Sequence, residues 1–175
     1  LVTGALLAGC TTPMPQPTPS GSTPSGDASP STSATPSESP SAPGSTPVDI
    51  ACDVLITPQA MYDFNPNFSL LSSWKPDAGT PAASALDARG VAWRWQSDTS
   101  GETIEVSVAS LDQAPLEAKA ADAGSSASYG FFRVTAGAGE ATAINGPYWL
   151  VVRSSYFAAA ADAQQLVAAA VSALP

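Results

Sequence analysis

Histidine is absent from the 175 residues. That removes the Ser-His-Asp triad, the Cys-His dyad and every imidazole metal site from consideration. Basic side chains are scarce, with 6 Lys and Arg against 15 Asp and Glu and a net charge of −9. Binding phosphate backbones needs positive potential, so the balance argues against nucleic acid as a partner. Runs of the Asp-x-Asp type that hold calcium are missing. Gly137-Ala138-Gly139 lacks the third glycine of a dinucleotide loop and reads as a turn. The sequence therefore points to no metal, no cofactor and no catalytic set. Scattered acids are read as solvating a surface, and neither Lys75 nor Lys119 sits in a Ser-x-x-Lys context.

Aromatic residues are missing too from everything before Tyr62, and all 13 lie between Tyr62 and Phe157. Proline runs the other way. Residues 11–47 hold 10 of the 17 prolines, and 30 of those 37 positions are Pro, Ser, Thr or Gly. Such a segment lacks the apolar area to offset a backbone entropy of roughly 1–2 kcal/mol per residue. It reads as a disordered linker, extended by polyproline II, with Ser and Thr beside Pro suited to O-glycosylation. The foldable unit is 48–175, close to the commonest domain size.

The chain opens Leu1-Val2-Thr3-Gly4-Ala5-Leu6-Leu7-Ala8-Gly9-Cys10, uncharged and apolar. It is too short for a membrane-spanning helix, which takes about 20 residues, and reads as the end of a secretory signal whose start is truncated. Leu7-Ala8-Gly9-Cys10 resembles the lipobox of bacterial lipoproteins. That resemblance implies a diacylglyceryl thioether at Cys10 and cleavage between Gly9 and Cys10. Each buried methylene of such a lipid contributes about 0.8 kcal/mol, so two long acyl chains of the palmitate kind hold a protein to a membrane. The expected location is the outer face of the cytoplasmic membrane, lipid-anchored and exposed to the cell wall.

Within 48–175 the expected class is α+β, an antiparallel sheet of four to five strands with a C-terminal helix packed on it. Thr57 before Pro58 reads as a helix N-cap, with the helix running to about residue 64. Residues 65–90 read as loop, rich in Asn-Pro and Gly-Thr-Pro turn signals. Val91–Gln96 and Thr103–Ala109 read as antiparallel strands, the second half-buried with Ile104, Val106 and Val108 on its inner face. A helix follows at about 115–123, then strands at 129–135, 140–144 and 148–154, the last two joined by Asn145-Gly146. The final helix has Ser154 or Ser155 as its cap and Leu166, Val167, Ala170, Val171 and Leu174 on one face.

Taken in order, Cys52-Asp53-Val54-Leu55-Ile56-Thr57, Ala92-Trp93-Arg94-Trp95 and Gly137-Ala138-Gly139-Glu140-Ala141 resemble motifs of a family of small secreted actinobacterial lipoproteins of unknown function. The resemblance implies a PsbP-like α/β/α sandwich and no particular activity. Ala92 stands where that family places a second cysteine. With Cys10 lipidated, Cys52 has no intrachain partner and reads as a small buried hydrophobe, or else as a reactive thiol. Nearby Asp49 and Asp53 would raise its pKa and argue against reactivity.

Binding is the function class left open. Trp93 and Trp95 share one strand face, and Tyr148 and Leu150 share one face of the last strand. Trp74, Trp93, Trp95 and Tyr148 are the candidate binding residues, as aromatic platforms for a peptide, glycan or envelope protein. The 65–90 segment, carrying Phe68 and Trp74, is the candidate cover for such a pocket. The alternatives are an accessory subunit of a membrane complex, or an envelope enzyme using carboxylates or the Cys52 thiol.

Overall fold

The structure, a computed structural model, describes residues 44–175. Cys10, the lipobox and nearly all of the Pro/Ser/Thr-rich stretch lie outside those residues. The described part is α+β. An eight-stranded antiparallel sheet has the order β2-β3-β4-β8-β7-β6-β5, with the short β1 also paired to β4. In chain order the strands are β1 Ser45–Thr46, β2 Phe68–Leu70, β3 Val91–Ser97, β4 Thr103–Leu111, β5 Ser125–Ala127, β6 Gly130–Thr135, β7 Ala138–Asn145 and β8 Tyr148–Ser154. The helices are α1 Cys52–Leu55, α2 Pro58–Phe64, α3 Pro81–Asp87, α4 Gln113–Ala121 and α5 Ala160–Ala173.

The sheet is therefore larger than the four to five strands expected. The additional strands are the two- and three-residue pieces β1, β2 and β5. Each is too short to carry a period-two pattern, and each is held by its neighbour's ladder, not by its own composition. The segment 65–90 is likewise not a plain loop, since it holds β2 and α3. Thr80 caps α3 by accepting from Ala83 N, with Pro81 at the first helical position, just as Thr57 caps α2. The cap of α5 also differs from expectation. Asp162 Oδ2 accepts from both Ala158 N and Ala159 N at 2.8 Å. Ser154 Oγ donates instead to Thr103 O and ties β8 to β4.

Helices lie on both faces of the sheet. On one face α1, α2 and α5 bury the main core, built on Ile104, Val106, Val108, Leu150 and Val152 below Leu166, Val167 and Phe157. On the other, α3 and α4 cover a smaller cluster of Ala85, Ala109, Leu111, Trp149 and Val151. β4 is thus covered on both sides, and its supposedly outer Glu105 and Ser107 are 3% and 2% exposed.

A row of charges crosses this second face. Arg94 pairs with Glu105 across β3–β4, Glu105 with Arg153 across β4–β8, Arg153 with Glu140 across β8–β7, and Glu140 with Arg133 across β7–β6. The register places these five residues on five adjacent strands, with signs alternating Arg, Glu, Arg, Glu, Arg. Arg94 hydrogen-bonds Glu105, Arg133 Nε meets Glu140 Oε2 at 2.7 Å, and Arg153 Nε lies 3.2 Å from Glu140 Oε1. Exposed Asp122 closes the row on Arg133 at 3.1 Å. The hydrogen bond to Glu140 is the main cause that raises the Arg133 pKa above its ordinary value, against an opposing effect of burial. Glu105 and Glu140, both at least nine-tenths buried, correct the reading of the acids as a solvated surface. Directly opposed charges of opposite sign stabilise cross-strand pairs, whereas like charges there would repel.

Candidate functional site

A cleft of about 480 Å³ opens between the α1–α2 pair and the β2–β3 edge of the sheet. Thr57 sets its geometry. Capping α2 directly after the end of α1, it sets the turn that lets Ile56, the C-cap residue of α1, and Met61 of α2 both line the wall. Phe68 and Leu70 of β2 form the opposite lip, and Trp95 of β3 lies beneath. Trp95 is 5% exposed and paired in register with Leu70, so both stand on the face that carries the main core. Tyr62 and Leu70 remain 64% and 46% exposed at the rim. Tyr156 packs edge-on against Phe68, with centroids 6.1 Å apart, and extends the apolar lip outward.

Among the described residues the wall carries no cation, and its only carboxylate is Asp53. Cys52 also lines it. Burial, followed by the neighbouring Asp53 charge, pushes the Cys52 thiol up to about 11. At neutral pH the thiol is protonated and makes a weak nucleophile, because thiolate is the reactive form. The group is half-buried, less enclosed than a core residue. Chemically, the cleft offers hydrocarbon contact, one neutral thiol and one negative charge.

No family model, curated protein or solved structure matches the chain.

The four aromatic candidates do not converge. Trp95 lines the apolar cleft, while Trp93, two residues earlier on the same face, is half-buried and packs against the main core. Tyr148 packs half-buried against that core from β8. Trp74 goes to the opposite face, where the Arg94 guanidinium lies 4.4 Å from its ring centroid. The expected cover is divided in the same way, with Phe68 in the cleft and Trp74 on the charged face. Sequence reasoning missed Ile56, Met61 and Leu70. Met61 reads as an ordinary helix apolar, Ile56 as a residue just before that helix and Leu70 as part of a loop, and only the β2–β3 pairing brings them to one wall. Among the described residues no group of three or more His, Cys, Asp or Glu is placed to hold a metal ion. No helix among them is long and apolar enough to cross a membrane.

Proposed function

We propose that the chain is a cell-envelope lipoprotein, anchored through Cys10, whose α+β domain binds an uncharged hydrocarbon ligand, such as a lipid acyl chain. The observation that carries the binding role is the apolar cleft of Ile56, Met61, Phe68, Leu70 and Trp95. Its volume falls within the roughly 300–1,000 Å³ of small-molecule pockets. Its chemistry selects against charge. A carboxylate or phosphate head group placed at the wall would face Asp53 with no cation to offset it. Each ligand methylene removed from water contributes about 0.8 kcal/mol. A role in binding, not conversion, is supported by the single carboxylate and the protonated thiol on the wall, which offer no acid–base pair.

The uncharged fluorophore N-phenylnaphthylamine, which brightens in apolar surroundings, tests the cleft. It is expected to bind the wild-type chain and to be displaced by a long-chain alcohol. Leu70→Glu, at a half-exposed edge position, should weaken binding about tenfold, since it removes apolar area and adds a second negative charge. Equal affinity in the variant, or no binding to the wild type, would remove the cleft from consideration. Anchoring is tested separately by fractionating cells that express the chain. Cys10→Ala should shift it from the membrane to the soluble fraction, and retention in the membrane fraction would refute lipidation at Cys10.

A further inference from the structure

On the opposite face of the sheet from the apolar cleft, a second cavity of about 370 Å³ lies between the start of α3, the end of α4 and the ends of β6, β7 and β8. Its wall has a different chemistry. Three of the chain's six basic residues, Lys119, Arg133 and Arg153, line it together with Asp122 and Glu140. In a chain of net charge −9, this cavity wall carries a local excess of one positive charge.

The excess is not spent internally. Both arginines are held by carboxylates of the cross-strand row. The Lys119 ammonium instead sits 4.3 Å from the centroid of the Trp149 ring. Among the described residues no carboxylate lies within ion-pair distance of it. Leu116, one turn earlier on α4, packs against the smaller cluster that holds Trp149 and fixes the helix face that presents Lys119. Arg153 Nε lies 3.2 Å from Glu140 Oε1 and Arg153 Nη1 3.7 Å from Glu105 Oε1, so this guanidinium is held by carboxylates on both sides and Lys119 alone carries the uncompensated charge.

The remaining wall atoms suit hydroxyls. Ser84 and Thr142 line the cavity, and neither hydroxyl makes a hydrogen bond to another described residue. Glu140, fixed from both sides by arginines, keeps acceptor capacity on its two oxygens. A free ammonium beside fixed carboxylates and open hydroxyls complements a ligand bearing one anionic group and several hydroxyls.

We propose that this cavity binds a small polyhydroxylated anion, a sugar acid or a polyol phosphate, through an ion pair from the anion to Lys119. The hydroxyls of the ligand are met by Ser84, Thr142 and Glu140. This site is independent of the apolar cleft, which lies beneath the other face.

Calorimetric titration of the full chain at low salt tests the proposal with D-glucuronate, glycerol phosphate and, as the neutral comparison, D-glucose. At least one anion should bind saturably at millimolar concentration, at least about tenfold tighter than glucose. Preference between glucuronate and glycerol phosphate tells carboxylate from phosphate. Lys119→Ala should weaken the anion about fivefold or more, while Lys119→Arg should retain most of the affinity. Both variants should remain folded with N-phenylnaphthylamine binding unchanged, which separates this site from the apolar cleft. Anions that bind no tighter than glucose, or an affinity insensitive to Lys119→Ala, would overturn the proposal.

Discussion

Glu105→Ala should cost about 3–5 kcal/mol of folding stability, the range measured when one partner of a buried ion pair is removed. Glu105 is 3% exposed at the middle of the sheet, with Arg94 hydrogen-bonded on one side and Arg153 Nη1 3.7 Å away on the other. Removing its carboxylate strands two guanidinium groups in a region where α3 restricts water. Arg94 retains only the face of Trp74, and Arg153 retains only Glu140. The consequence differs by position along the row. Asp122 is 85% exposed, so its pair with Arg133 is screened and Asp122→Ala should cost well under about 1 kcal/mol. Urea unfolding of both variants provides the test, and equal losses at the two positions would mean that the buried pairs are not what holds this face together. Replacing Arg94 and Glu105 together by Met and Leu should recover much of the single-variant loss, because neither charge is then left unpaired.

The same residue shows where sequence reading ran out. β4 alternates Thr103, Glu105, Ser107 against Ile104, Val106, Val108, the signature of a strand with one wet face. The strand, its direction and its inner face were legible. The burial of its outer face was not, because that depends on α3, which comes from residues that read as loop. A polar alternation means only that one face is not apolar. Whether water or a row of opposite charges meets it is decided by neighbours 40 or more positions away, such as Arg153 opposite Glu105. The longer elements were legible for a local reason. α2 carries its own Thr-Pro cap, β7–β8 its Asn-Gly turn, and α5 its Leu166-Val167-Ala170 stripe. β1, β2 and β5 carry nothing of the kind. The apolar cleft needed β2 paired to β3, and so was invisible even though Trp95 was singled out.

Gly139→Val should lower stability by about 3 kcal/mol or more, at the upper end of the cost of overpacking a core. Gly137-Ala138-Gly139-Glu140-Ala141 reads as a turn motif, but its two glycines do different work. Gly137 turns the chain at φ +75°, and a Cβ added there meets nothing within 4 Å. Gly137→Asn should therefore be tolerated, because Asn accepts this region of backbone space. Gly139 lies inside β7, where no positive φ demands glycine. Its constraint is contact. A Cβ there would stand 2.5 Å from Phe157 O, 2.7 Å from Phe157 Cβ and 2.8 Å from Phe132 Cζ. Only the last is the far end of a side chain. Phe132→Leu should thus rescue Gly139→Val in part at most, since the Phe157 carbonyl belongs to the link between β8 and α5. Phe157 is fully buried and packs edge-on against Phe64 of α2, with centroids 6.3 Å apart. Displacing it pushes on the helix that supplies Met61 to the cleft. Gly139→Ala, the smallest intrusion, should accordingly weaken N-phenylnaphthylamine binding while the chain remains folded. Glucuronate binding on the far face should be less affected, and an equal loss at both sites would indicate general unfolding instead of transmission through Phe157.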